Sequence, residues 1–177
     1  DADIFIAGGC SSLNPSYLLS LADSGLLAAA EADPSASCRP FENRRSGFAV
    51  GEGAAAIIVE ELDHARARNA VIYGEICGYA CTGEEISPPA DERAIEARVA
   101  GVAACIEEVL GQAAIDRSRV DYINAEGNAA VLSDRIETDA IKRVFGDHAR
   151  RLSVSSTKAA TGHLLCASGA AEIIFTA

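Results

Sequence analysis

The stretch Ser155-Ser156-Thr157-Lys158-Ala159-Ala160-Thr161-Gly162-His163-Leu164-Leu165 lies between a short apolar run, Leu152-Ser153-Val154-Ser155, and an alanine-rich apolar tail that continues to Ala177. A short run with a β-branched centre, then small polar residues, then helix formers reads as strand, turn, helix, with the helix over Leu164 to Ala177. That succession places side chains at the carboxyl end of a strand, where the next helix offers free N–H groups to an anion. Gly162 permits a close approach beside His163, and Lys158 stands five residues before it. A histidine near a helix start is usually solvated or capping, but this context points to a turn that binds an anion or a developing oxyanion. His64 and His148 lie in charged, surface-like segments and carry no such signal.

The same succession occurs upstream. Val120 to Ala125 reads as a strand and Ala125-Glu126-Gly127-Asn128 as its turn. Asp134 with Glu137 resembles a capping box, opening a helix that turns Ile136, Ala140, Ile141, Val144 and Phe145 inward until Gly146. Ile95, Val99, Val102, Ile106 and Leu110 recur at helical spacing, with Gly111 as the expected C-cap. Nearer the start, Asp3 to Ala7 reads as a strand closed by Gly8-Gly9, Leu18 to Ala30 as a helix, and Ala54 to Glu60 as a strand buried on both faces. A short helix over Leu62 to Arg68 and a strand over Val71 to Ala80 follow, and the Thr82 to Asp91 loop divides the chain into units 1–80 and 81–177. Alternating strands and helices define an α/β protein with sheets covered by helices.

The composition agrees with a packed core of Ala, Ile, Val and Leu: 49% of the 177 residues are hydrophobic, 23% charged and 5% aromatic. Disorder, collagen-like repeats and a disulfide-stapled miniprotein are excluded. No apolar run approaches the roughly 18 residues that cross a bilayer, and no signal-peptide pattern opens the chain. A formal charge of −11 repels phosphate backbones and anionic membranes, so neither nucleic acid nor membrane is an expected partner. The six cysteines read as reduced core residues, and Cys77 and Cys81 lack a second ligand pair, so no metal is expected. The absence of methionine and an end inside an apolar run, Phe175-Thr176-Ala177, point to a piece of a longer protein.

The run from Ser155 to Leu165 resembles the Ser-Ser-Thr-Lys-x-x-x-Gly-His motif of the β-ketoacyl-acyl-carrier-protein synthases, the elongating condensing enzymes of fatty-acid and polyketide synthesis. Pro40-Phe41 through Gly47-Phe48 to Gly51-Glu52-Gly53, Tyr122-Ile123-Asn124-Ala125, Asp134-x-x-Glu137-Thr138 and Val144-Phe145-Gly146 fall in the same order and spacing as in that family. The resemblance spans essentially the whole chain. It implies the thiolase-like fold, two βαβ-rich halves layered αβαβα, of which this chain holds the end of the first and the start of the second. It also implies that the family's nucleophilic cysteine lies before Asp1. Cys10, in its small-residue setting, is rejected as that nucleophile because Ile4 to Gly9 matches the strand after the nucleophile helix, and Cys166 reads as a small helix residue.

The resemblance assigns further roles. His163 matches the second of two histidines that donate hydrogen bonds to a thioester oxygen as malonyl carrier protein loses carbon dioxide. The first belongs to an Asn-Ala-His-Gly-Thr-x-Thr stretch, which reads here Asn124-Ala125-Glu126-Gly127-Asn128-Ala129-Ala130. Glu126 takes the histidine's position, and Asn128 and Ala130 replace threonines that hold the phosphopantetheine arm. Thr161 is grouped with them as substrate-facing, and Lys158 and Glu137 support the site. The expected partner is acyl carrier protein, whose phosphopantetheine is substrate rather than a resident cofactor. The expected assembly is a homodimer or a heterodimer with a ketosynthase subunit, in the cytoplasm.

An ionised Glu126 cannot donate a hydrogen bond and repels an enolate, so ordinary decarboxylation should be impaired. Three readings follow: a divergent condensing enzyme in which Glu126 is protonated or serves as a base; a non-catalytic partner resembling chain-length factors; or a scaffold, which the retained His163 turn disfavours. Buried, Glu126 requires an ion pair with Lys158 or His163. Arg39, Arg44 and Arg45 are the nearest basic cluster for an acidic carrier protein, and Ile86-Ser87-Pro88-Pro89 resembles a segment at the pantetheine entrance.

Overall fold

The computed structural model describes residues 2–31, 33–83 and 91–177. The Ile86 to Pro89 loop lies outside them.

β1 (Ile4–Ser11) pairs antiparallel with β2 (Gly53–Glu60), in a register from Ile4 opposite Glu60 to Ser11 opposite Gly53. The strand runs through Gly8-Gly9 instead of stopping there. A Cβ on Gly9 would come within 2.0 Å of the Cys166 carbonyl oxygen, so glycine here admits a neighbouring backbone within the strand. β2 is not buried on both faces. Its exposure alternates, and Ile58 is 70% exposed, because within this chain the two-stranded sheet is covered on one side.

α1 (Pro15–Asp23) starts earlier than the apolar spacing predicts, since Asn14 accepts from the Tyr17 N–H and Pro15 suits the first helical position. It ends at Asp23, and Leu27 leaves the helix to bridge Phe48. α2 (Leu62–Ala67) follows β2 as expected. The predicted strand over 71–80 forms no ladder among the described residues, and Val71, Tyr73 and Tyr79 lie exposed. β-Branched and aromatic residues make a strand only where a second strand supplies the hydrogen bonds.

α3 (Glu92–Ala113) is capped by Asp91, which accepts from the Ala94 N–H. It continues past Gly111 to a left-handed Ala114, where the Ile115 N–H reaches back to the Leu110 carbonyl in a Schellman closure. β3 (Tyr122–Asn124), α4 (Val131–Phe145) and β4 (Ser153–Ser155) form a βαβ unit with parallel strands. Val99 and Ala103 of α3 pack on Ile136, Ala140, Ile141, Val144 and Phe145 of α4, with Ile123 and Leu152 beneath. The inward residues of α4 are those predicted from its period. α5 (Lys158–Thr161) follows β4, and α6 (Ser168–Thr176) begins after a 3-10 turn, later than Leu164. No described helix is long and apolar enough to cross a membrane.

The capping-box reading of Asp134 is corrected. Ala130 is the N-cap residue, and Asp134 sits in the first turn of α4, 1% exposed. One of its oxygens accepts from the Phe41 N–H at 2.7 Å and the other from the Ala129 N–H at 3.1 Å, with the Arg45 guanidinium at 3.3 Å. Phe41 and Ala129 both adopt positive φ, 63° and 65°, a region unfavourable to residues with a Cβ. Asp134 thus compensates two strained backbones and ties the 39–48 segment to the turn after β3. Asp134→Ala removes both bonds and leaves Arg45 without its carboxylate, so the folded state should lose about 3 kcal/mol. Chemical denaturation checks this, and a loss under about 1 kcal/mol would show the strained turns to be self-supporting.

Candidate functional site

Parallel pairing of β3 with β4 brings the two turns side by side, and the Ala125 N–H donates to the Ser155 carbonyl as the strands end. Around residue 126 the backbone is held from both sides. Glu137, projecting from α4, accepts from the Glu126 N–H at 2.8 Å and the Gly127 N–H at 2.9 Å. Lys158 Nζ donates to the Glu126 carbonyl at 2.6 Å, and Ser156 Oγ to the Gly127 carbonyl at 2.8 Å. A Cβ at residue 127 would lie 2.5 Å from Ser156 Cβ, so only glycine fits. Burial pushes the Glu137 carboxyl above its usual range, against the lowering by those two N–H donors. Asp134 is likewise raised by burial.

Lys158 is the hub. Its side chain is 1% exposed, and besides the Glu126 carbonyl it meets Glu126 Oε2 at 3.2 Å and Glu172 Oε1 at 2.5 Å. Glu172, on α6, was not singled out from the sequence. A signal existed, since it is the one charged residue in the otherwise apolar Ser168–Thr176 helix. Asn124 Nδ2 donates to the Glu172 carbonyl, which fixes α6 against the end of β3.

His163 is held as firmly. Its N–H donates to Ala49 and its carbonyl accepts from Gly51, and Phe48 packs edge-on against the ring with centroids 4.9 Å apart. The Leu165 N–H donates to Nδ1 at 3.2 Å, and Ser168 Oγ lies 3.0 Å from the same nitrogen. An accepting Nδ1 leaves the proton of the neutral ring on Nε2. Burial holds the imidazole pKa below its ordinary 6.5, opposed by the Glu126 charge and reinforced by Lys158, so the ring is neutral at pH 7. The Nε2–H therefore faces the site as a hydrogen-bond donor, and 3.4 Å from Nε2 stands Glu126 Oε1.

Glu126 thus lies between Lys158 and His163, in an ion pair with the first and with its Oε1 3.4 Å from Nε2 of the second. It is not buried, its side chain being 50% exposed. Asn128, Ala130 and Thr161 are turned to local tasks. Asn128 Oδ1 accepts from the Ala130 N–H, Ala130 is buried, and Thr161 Oγ1 donates to the Thr157 or Gly162 carbonyl. The arginine cluster dissolves on inspection of its contacts. Arg39 pairs with Glu31 and Glu42, and Arg45 with Asp134 and two carbonyls, which leaves only Arg44 exposed and itself beside Glu42. His64 pairs with Glu60, and His148 meets the Val120 carbonyl, both away from the site.

The β-ketoacyl synthase C-terminal domain model matches residues 73–177, and the β-ketoacyl synthase N-terminal domain model matches residues 1–65. The chain is 42% identical over 177 residues to the 3-oxoacyl-[acyl-carrier-protein] synthase 2 of Coxiella burnetii, covering 99% of this chain and 42% of that protein. It is 38% identical to the mitochondrial 3-oxoacyl-[acyl-carrier-protein] synthase of Arabidopsis thaliana, over 99% of this chain and 38% of the relative. Among solved structures, a type II polyketide ketosynthase in complex with its acyl-carrier protein and bound to the hexaketide superposes with a TM-score of 0.88 at 35% identity, covering 99% of this chain and 42% of that one. A β-ketoacyl synthase from Burkholderia phymatum gives 0.87 at 32%, covering 98% and 40%. The chain spans about two fifths of the length of the curated relatives it matches. Agreement with solved ketosynthases over nearly every residue gives the α/β, thiolase-like architecture.

Proposed function

Because this chain belongs to the β-ketoacyl synthase family, we propose that its protein handles acyl chains carried as thioesters on the phosphopantetheine arm of an acyl carrier protein, as a Claisen-condensing acyltransferase of fatty-acid or polyketide synthesis in which decarboxylation of malonyl donors is weakened. The observation that carries the proposal is the Glu126 carboxylate lying at the Nε2–H of His163. That N–H is the donor a thioester oxygen needs as it becomes an enolate. Here an acceptor already stands beside it, and its charge adds to the charge that must develop. The solved relative described as a ketosynthase in complex with an acyl-carrier protein supports the carrier as partner. Cytoplasmic location and a dimer, of this chain or with a ketosynthase subunit, complete the proposal.

One observation favours a second reading, a non-catalytic subunit resembling chain-length factors. Lys158 spends its donors within the protein, on the Glu126 carbonyl and the carboxylates of Glu126 and Glu172, and Glu126 Oε1 stands 3.4 Å from His163 Nε2. Release of carbon dioxide from malonyl-loaded carrier protein by the whole protein separates the possibilities. We expect a rate below that of an ordinary 3-oxoacyl-carrier-protein synthase by about 10²- to 10³-fold. A rate equal to such an enzyme overturns the account of Glu126. Silence alone, with activity only after co-purification with a ketosynthase subunit, transfers the assignment to the second reading.

A further inference from the structure

We propose that Glu126 is the base of a Claisen condensation that uses donors without an α-carboxylate, taking a proton from the donor's α-carbon. This rests on the reading that malonyl decarboxylation is weakened, and gives it a substrate class: uncharged acyl thioesters as donors.

The carboxylate is positioned rather than slack. Its backbone is pinned by Glu137 and Lys158, and its two oxygens stand 3.4 Å from His163 Nε2 and 3.2 Å from Lys158 Nζ, while half of the side chain stays open to solvent. Within this chain Glu126 is thus set beside the donor nitrogen with half of its side chain uncovered. The charge balance also selects the donor. One ammonium, Lys158, faces two carboxylates, Glu126 and Glu172, and Glu137 lies behind the same backbone. A malonyl group would bring another anion into an already negative cluster, and a plain acyl thioester brings none.

Geometry connects the carboxylate to the reacting carbon. A thioester oxygen accepting from His163 Nε2–H would sit next to Glu126 Oε1, which occupies that neighbourhood now. The α-carbon is two bonds from that oxygen, within reach of the same carboxylate. In the step itself, Glu126 takes the α-proton, and the C–H electrons form the enolate, whose oxygen is held by Nε2–H. The enolate carbon then attacks the carbonyl of the acceptor acyl thioester, forming the C–C bond. The acceptor's C–S bond breaks, and its thiolate leaves with the proton from Glu126, which restores the carboxylate. No carbon dioxide is lost and no oxidant or reductant is used. Neutral His163 and ionised Glu126 are the forms this step requires.

The test is α-hydrogen exchange: the whole protein is incubated in deuterium oxide with butyryl-loaded carrier protein, and deuterium in the acyl group is read by mass spectrometry. The wild type should exchange the α-hydrogens, and Glu126→Gln, which keeps the backbone contacts, should exchange about 10²- to 10⁴-fold more slowly. Glu126→Asp, with its carboxylate withdrawn by one methylene, should also slow it. Both variants are checked for a wild-type melting curve, and if one fails to fold the other decides. Exchange by the wild type no faster than without protein, or undiminished in a folded variant, overturns the proposal. Weakened decarboxylation is judged separately by carbon dioxide release from the malonyl-loaded carrier, so a protein that neither exchanges nor releases loses the base assignment alone.

Discussion

Glu126→His should raise the release of carbon dioxide from malonyl-loaded carrier protein by about 10²- to 10³-fold, the effect of one preorganised donor on a developing oxyanion. The substitution exchanges an acceptor for a donor and removes one negative charge from a cluster in which Lys158 faces two carboxylates. It also takes the carboxylate away from the Nε2 of His163, which Glu126 Oε1 approaches to 3.4 Å. The change should be structurally mild, because Glu137 and Lys158 hold residue 126 through its N–H and carbonyl. Labelled carbon dioxide trapped from the whole protein measures the rate. A folded variant that gains less than about tenfold would mean that the carboxylate is not what restrains decarboxylation.

Lys158→Met should cost about 3–5 kcal/mol of folding stability, the range for removing one partner of a buried ion pair. Nearly all of the loss should come from Glu172, which is 17% exposed and would be left as an unpaired buried carboxylate. Glu126 is half in water and should contribute little. Double substitution separates the two. Lys158→Met combined with Glu172→Gln should regain at least about 1 kcal/mol over the sum of the single losses, whereas Lys158→Met with Glu126→Gln should be close to additive. Denaturant midpoints of the three single and two double variants give the comparison, and additivity in the Glu172 pair would remove Lys158 from the centre of the structure.

Residue patterns carried the elements built on local chemistry. The period of Ile136, Ala140, Ile141, Val144 and Phe145 identified the buried stripe of α4, because helical periodicity is written within one element. What needed the third dimension was misread. Asp134 and Glu137 have the spacing of a cap, yet one holds Phe41, 93 residues away in sequence, and the other the turn after β3. Gly8-Gly9 reads as a terminator because what demands glycine there is remote in sequence: the Ala55 carbonyl of β2 at Gly8, and the Cys166 carbonyl at Gly9. Residues 71–80 have the β-branched and aromatic content of a strand, but pairing depends on a neighbour that no local pattern names. The cluster of Lys158, His163 and Glu126 was legible through motif order, and the expected ion pair of Glu126 with Lys158 or His163 is met at Lys158, with the neutral His163 ring 3.4 Å away. The half-exposed state of Glu126 was not legible, and neither was Glu172.

Main-chain anchorage of residue 126 separates architecture from chemistry at one position. Glu137 and Lys158 grip atoms that every amino acid possesses, and Gly127, Ser156 and Asp134 shape the turn around them. The side chain at 126 can therefore be exchanged across generations of sequence change without rebuilding its mount. A substitution at 126 should thus exchange one side-chain chemistry for another while the melting temperature stays nearly still.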